Sequence, residues 1–183
     1  TQVLVLHALL TNSYDGLVSP QLVNTLPYTP MTIKRAFDEI EQAQIGVARM
    51  HGRERELKFE AKGRELWEAV LPFLRSPVKK QVTTTFPIDM GGLEAGLTAL
   101  SRHSMISAPA HPTLAVSEKA VANMDIRKIG FPDGGDALDL QIWRYEPTVL
   151  STESTVDRLS LFLSLRSTED ERIEAALDEM MQG

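Results

Sequence analysis

The stretch at residues 29–44, TPMTIKRAFDEIEQAQ, has the pattern of an amphipathic helix presented on a protein surface. A threonine followed by proline favours a helix start, because the hydroxyl can accept from a free helical amide and proline's fixed φ suits the first position. Apolar residues then recur at helical spacing and predict a buried stripe. The stripe consists of Ile33, Ala36, Phe37, Ile40 and Ala43.

The opposite face of this predicted helix is polar and carries its cations before its acids. Lys34 precedes Asp38 and Arg35 precedes Glu39, each by four residues. The reverse order would suit both the side-chain pairs and the helix dipole better, by a few tenths of a kcal/mol per pair. The order is therefore compatible with an ordinary solvated face, or with a partner that favours cations near the N-terminal end. The same face also carries Met31, Thr32 and Gln42.

The residues before this helix predict a second, shorter helix joined to it by a tight turn. Ser19 and Pro20 repeat the start signal, and Leu22, Val23 and Leu26 form its apolar side. About three residues separate the two helices, which is the spacing of a helix-turn-helix. Upstream, residues 17–18 can form a short strand, and the apolar residues 1–10 predict a buried helix in which His7 is a core residue.

The residues after the helix predict a β-hairpin with a cationic tip. Gly52 can make the turn, and Leu57 and Phe59 alternate with charged residues as in a half-buried strand. Arginines also protect an exposed sheet edge from aggregation, so the hairpin taken by itself has a purely structural explanation. The cations near the tip are Arg49, His51, Arg53 and Arg55.

In their order and spacing, these motifs resemble the winged helix-turn-helix core of MarR-type transcriptional regulators. The resemblance runs through SPQLVNTL, TPMTIKRAFDEIEQAQIG and HGRERELKFEAKGRELW, and covers roughly residues 1–75. Members typically begin the next helix with Thr-x-Lys-Gly, and here residues 60–63 read EAKG, without the threonine. MarR proteins dimerise through long terminal helices, and nothing after residue 75 is similar to them.

The resemblance implies double-stranded DNA as the partner and assigns roles to individual residues. Residues Met31, Thr32, Lys34 and Arg35 would face the major groove, where arginine can bind guanine and a methyl group can contact thymine. Thr29 would cap the helix near a phosphate. The wing would contact phosphates or the minor groove through Arg49, His51, Arg53 and Arg55.

Composition and charge limit the remaining possibilities. The 183 residues include no cysteine and only four histidines, which argues against disulfides, thiolate chemistry and structural zinc. No apolar run is long enough to span a bilayer and no signal peptide is visible, so we expect a cytoplasmic protein with no membrane association. The chain does not begin with methionine, so an upstream segment is expected. Residues 1–80 carry net charge +2 and the remainder −8, within a total of −6.

The charge changes sign near RSPVKK, residues 75–80, which has the composition of a linker. We therefore expect an α/β (α+β) chain with a DNA-binding domain at residues 1–76 and a small α/β domain at residues 77–183. The second domain is expected to serve dimerisation, regulation or binding of a partner protein. Its predicted strands lie at 113–116, 126–131 and 138–145, and its predicted helices at 91–104, 156–165 and 167–181, the last opened by Ser167 and Asp170.

Part of the second domain resembles the C-terminal domain of AbiEi-type antitoxins. The resemblance rests on residues 95–116, AGLTALSRHSMISAPAHPTLAV, and on the later helix VDRLSLFLSL. It implies an alternative function, an antitoxin that represses its own operon and neutralises a protein toxin.

No active site or cofactor site is recognisable in the sequence. Asp136 and Asp139 could hold Mg²⁺ for a nucleotide-binding enzyme, but a turn explains Asp136 more simply. His103 and His111 lie near Ser101 and Ser104 only in composition, not in any catalytic spacing. We therefore expect a homodimeric DNA-binding repressor that is not an enzyme and needs no cofactor or metal. Two alternatives remain: a nucleotide-binding enzyme, and a winged helix that binds another protein instead of DNA.

Overall fold

The computed structural model describes residues 1–85, 92–122, 137–151 and 153–182. The fold is a mixture of helices and strands with two sheets, in agreement with the expected α/β class. The chain divides into two compact units, Thr1–Leu74 and Arg75–Gly183. Each sheet lies within one unit, so the units are described separately. No described helix is long and apolar enough to cross a membrane.

The first unit combines helices with an antiparallel three-stranded sheet of order β1-β3-β2. Leu17 of the short first strand pairs with Leu57 of the third. A 3₁₀ turn at Leu71–Phe73 ends the unit. The helices are α1 (Gln2–Leu10), α2 (Ser19–Thr25), α3 (Pro30–Gln42) and α4 (Gly63–Val70), and the strands are β1 (Leu17–Val18), β2 (Gly46–His51) and β3 (Glu54–Phe59).

The helices of the first unit follow their apolar patterns. α1 is apolar on nearly all sides and is correspondingly buried, which confirms a helix there. The cap predicted for α2 was wrong, because Val18 is the N-cap and Ser19 already lies inside the helix. α4 ends before Pro72, whose ring cannot continue a helix, and Phe73 is exposed.

The second unit is built on a four-stranded sheet of order β4-β7-β6-β5. β7 runs antiparallel to β4 and parallel to β6, and β5 is antiparallel to β6. The strands are β4 (Val78–Thr85), β5 (Leu93–Glu94), β6 (Thr113–Ser117) and β7 (Ala137–Trp143), and the helices are α5 (Gly96–His103), α6 (Glu118–Ala122), α7 (Arg158–Leu165) and α8 (Glu171–Gln182), with a 3₁₀ turn at Pro147–Val149.

β7 is one of the two inner strands, and both of its faces are covered. Trp143 lies fully buried in a core with α5, α7 and α8, and its indole N–H donates to Gln141, 3.1 Å away. Leu138 and Leu140 on the other face form a second cluster with Val116. A strand covered on both faces has few exposed residues, which explains why β7 is more buried than simple alternation predicts.

Several predicted boundaries in the second unit were wrong. Three residues of the expected linker, 78–80, begin strand β4. Leu93 and Glu94, expected in a helix, form β5, and α5 begins only at Gly96, whose φ is +52°. The last helix begins at Glu171, after the expected start at Ser167. The strand predicted at 126–131 lies outside the described residues.

Candidate nucleic-acid interface

The exposed face of α3 is fixed by how the helix begins and by what it buries. The hydroxyl oxygen of Thr29 accepts a hydrogen bond from the amide of Thr32, 3.2 Å away, so the predicted cap is present. Ile33, Ala36, Phe37 and Ile40 are buried, which leaves the opposite face in solvent. That face presents Met31, Thr32, Lys34 and Arg35, and the Met31 side chain is 60% exposed.

Arg55 fastens the β2–β3 hairpin to the side of α3. Its guanidinium donates to Asp38 and, at 2.5 Å, to Glu41. The other carboxylate oxygen of Glu41 accepts from the amide of Ala48 at 3.1 Å, so α3 is joined to both strands. The hydrogen bond to Asp38 is the main reason why the pKa of Arg55 lies above its ordinary value. Only 22% of the Arg55 side chain is exposed.

This position corrects the expectation that Arg55 belongs to the exposed cationic tip. On β3, Arg55 lies two residues from Leu57 and four from Phe59, so all three share one face of the strand. Leu57 and Phe59 are buried against the core, and Arg55 is therefore directed towards α3. The alternation that predicted the strand already indicated the direction of the Arg55 side chain. Nothing in the sequence indicated the acidic partners of Arg55, which lie 14 and 17 residues away.

The other three predicted cations of the hairpin are exposed. Arg49 and His51 lie on β2, and Arg53 lies in the turn beside Gly52, whose φ of +62° suits glycine. His51 Nδ1 lies 3.2 Å from a carboxylate oxygen of Glu56. The tip therefore presents two arginines and a histidine, with two acids, Glu54 and Glu56, close by.

Four cations of α3 and the hairpin make no ion pair with any other described residue. In contrast, Lys58 contacts Asp15 at 2.7 Å and Arg64 contacts Glu68 at 2.8 Å. Lys62, immediately before α4, also lacks an ion pair among the described residues, but its charge acts on Asp15. An unpaired cation keeps its full field for a ligand, so these side chains are the most available to an anion. The four are Lys34, Arg35, Arg49 and Arg53.

The total charge of the first unit is lower than the count over residues 1–80 suggested. Residues 1–74 carry 8 Lys and Arg against 9 Asp and Glu, a net charge of −1. Three of the cations counted earlier, Arg75, Lys79 and Lys80, belong to the second unit, where Lys79 contacts Glu118 at 2.5 Å. Any attraction for an anion must therefore come from the local arrangement of charges.

Most of the described residues considered for catalysis make ordinary structural contacts, but His103 Nε2 is buried and has no hydrogen-bond partner among the described residues. The hydroxyls of Ser101 and Ser104 donate to backbone carbonyls of α5, and His111 Nδ1 lies 3.2 Å from the carbonyl oxygen of Ala137. Asp139 accepts from the hydroxyl of Thr83 at 2.6 Å, whereas Asp136 lies outside the described residues. Within the described ranges, no three His, Asp or Glu side chains are grouped to hold a metal ion.

No family model, curated protein or solved structure matches this chain.

Proposed function

We propose that this chain is a DNA-binding transcriptional regulator whose first unit acts as a winged helix-turn-helix of the MarR type. The observation that carries the proposal is the set of four unpaired cations on α3 and the hairpin, Lys34, Arg35, Arg49 and Arg53. A helix-turn-helix places the exposed face of its second helix in the major groove, and α3 has the exposed face that this docking needs.

In this proposal α3 reads bases and the hairpin contacts the backbone. Arg35 would bind a guanine edge, and Met31 would contact a thymine methyl group. The hydroxyl of Thr32 lies 3.0 Å from that of Thr29, so Thr32 is more suited to packing its methyl group against a base. Arg49, His51 and Arg53 would contact phosphates, which adds affinity but little sequence preference.

Arg55 takes a different role from the one that the resemblance implied. It holds the hairpin against α3 through Asp38 and Glu41, and so acts as a positioning residue. It also offsets one of the two negative charges that these acids place next to the proposed DNA surface. The repressor would act by occluding a promoter, and the second unit would bring two copies together or bind a regulatory partner.

The test is binding of the full chain to random duplex DNA over a series of salt concentrations. Each lost phosphate contact should reduce the slope of log affinity against log salt by about 0.9. Arg53→Ala should therefore bind more weakly with a shallower slope. The matched control is Arg64→Ala, which removes another exposed cation, on α4, that contacts Glu68.

Selection of a preferred sequence then separates base contacts from phosphate contacts. On a selected site, Arg35→Ala should lose about 1 to 3 kcal/mol of binding free energy, and the preference at one base pair should relax. Arg53→Ala should weaken selected and random DNA alike. If the wild type does not bind DNA at low salt, or if Arg64→Ala behaves like Arg53→Ala, the proposal is wrong.

A further inference from the structure

The first turn of α3 presents methyl groups on the face that the proposed function assigns to DNA. The hydroxyl oxygens of Thr29 and Thr32 lie 3.0 Å apart, and that of Thr29 also accepts from the amide of Thr32. Because the hydroxyl of Thr32 is turned back to the cap, its methyl group is the part of the side chain that a ligand can best contact. Met31, beside it, is 60% exposed and ends in a methyl group as well.

Arg35 lies one turn after Met31 on the same exposed face of the helix. Four residues span about 6 Å along the helix axis, close to the rise of two base pairs. Arg35 makes no ion pair with any other residue that the structure describes, so its guanidinium can bind the O6 and N7 atoms of a guanine. The face therefore combines a group that binds guanine with two methyl groups about one helical turn away.

In the major groove, the bases offer these methyl groups one kind of apolar partner, the methyl group on C5 of a pyrimidine. Thymine carries this methyl group and cytosine does not. 5-Methylcytosine carries it at the same place while it pairs with guanine. A methyl group neither donates nor accepts a hydrogen bond. Met31 and Thr32 therefore cannot distinguish a thymine·adenine pair from a 5-methylcytosine·guanine pair, but they can distinguish both from pairs that lack the methyl group.

We propose that α3 reads the C5 methyl group itself, through Met31 and Thr32, near a guanine bound by Arg35. The preferred ligand is duplex DNA that carries either thymine or 5-methylcytosine at this position. This inference rests on the proposed function and adds the chemical group that the site recognises. Burial of one methyl group against the protein contributes about fourfold in affinity. Methylation of a cytosine at this position therefore strengthens binding by a similar factor without changing the base sequence.

The experiment measures binding of the full chain to the selected site and to copies in which each thymine in turn is replaced by deoxyuridine, which lacks only the methyl group. For the wild type, deoxyuridine at one position should cost about fourfold in affinity. At that position, a 5-methylcytosine·guanine pair should bind about fourfold more tightly than a cytosine·guanine pair. Met31→Ala should lose most of both ratios. Its salt slope on random DNA should stay that of the wild type, which shows that the variant is folded.

Met50→Ala is the matched control. Met50 lies on β2 and is 67% exposed, and the hairpin is proposed to contact phosphates, so this variant should keep both ratios. If no deoxyuridine substitution weakens the wild type by more than about twofold, the inference is wrong and the proposed DNA binding is unaffected. The same conclusion follows if Met31→Ala keeps both ratios. A wild type that binds no duplex overturns the proposed function and this inference together.

Discussion

Replacing Asp157 by asparagine should stabilise the second unit at neutral pH much more than at acidic pH. Asp157 is the N-cap of α7, and one of its oxygens accepts from the amide of Ser160 at 2.9 Å. Its other oxygen is buried and has no hydrogen-bond partner among the described residues. Burial in this position raises the pKa of Asp157 from 3.8 to about 6.

The sign and size of the effect follow from this pKa. The folded chain holds the proton of Asp157 more tightly than the unfolded chain does. The protonated carboxyl therefore contributes its full stabilisation below about pH 3.8, and this contribution is lost as the pH rises through 6. The difference between the two pKa values corresponds to about 3 kcal/mol of unfolding free energy at neutral pH. Asparagine keeps the capping oxygen but cannot ionise, so it avoids this loss.

The assay is guanidinium unfolding at several pH values, followed by the fluorescence of Trp143, which is fully buried in the second unit. A Trp67→Phe background removes the tryptophan of the first unit. From about pH 4 to pH 7, the unfolding free energy of Asp157→Asn minus that of Asp157 should become more positive by about 2 kcal/mol. Any cost of the buried amide is the same at each pH and cancels in this comparison.

Asp170→Asn provides a control of opposite sign. The pKa of Asp170 is lowered, chiefly by the hydrogen bond from the Arg172 side chain, so its ionised form stabilises the fold and this stabilisation is lost as the pH falls. The difference between Asp170→Asn and Asp170 should therefore move in the reverse direction. A pH-independent difference for Asp157→Asn would refute the reasoning, because it would mean that the buried carboxyl ionises as it does in water.

Two further predictions concern the first unit. Arg55→Ala should destabilise it by about 1 kcal/mol and should weaken DNA binding without making the salt slope shallower. Arg53→Ala should leave thermal unfolding unchanged. Identical behaviour of the two variants would contradict their different roles. Gly46→Ala should destabilise the unit by roughly 2 kcal/mol in chemical unfolding, because its Cβ would lie 2.7 Å from the carbonyl oxygen of Lys58. Gly52→Ala is its control: that site is open, so only the positive φ costs about 1 kcal/mol, and an equal or larger loss there would refute the steric explanation.

Elements with a strong apolar period were predictable because the period itself reports the buried face. The four apolar residues of α3 from Ile33 to Ile40 are all buried, and α8 likewise buries apolar residues at helical spacing. These elements needed no knowledge of their partners. Their ends were less predictable, since Ser167 and Asp170 form a reasonable cap on paper while α8 begins at Glu171.

Strand β4 shows why pairing between distant residues escapes such an analysis. Lys79 and Lys80 follow a Ser-Pro pair and suggest a linker, but lysine is also common on edge strands. Lys80 pairs with Ile142, 62 residues later in the chain, and nothing local to either residue indicates that contact. The composition of residues 75–80 suits both structures, and only the partner strand decides between them.

The proposed interface depends on the same kind of distant contact. With a net charge of −1, the first unit attracts DNA only if its acids are kept from cancelling its cations. Arg55 contacts Asp38 and Glu41 together, and its single positive charge offsets one of their two negative charges beside Lys34 and Arg35. If the proposal holds, Arg55 makes the potential there less negative without touching DNA. Restoring a paired cation with Arg55→Lys should then recover part of the affinity that Arg55→Ala loses, because lysine supplies the charge but not the two-pronged geometry.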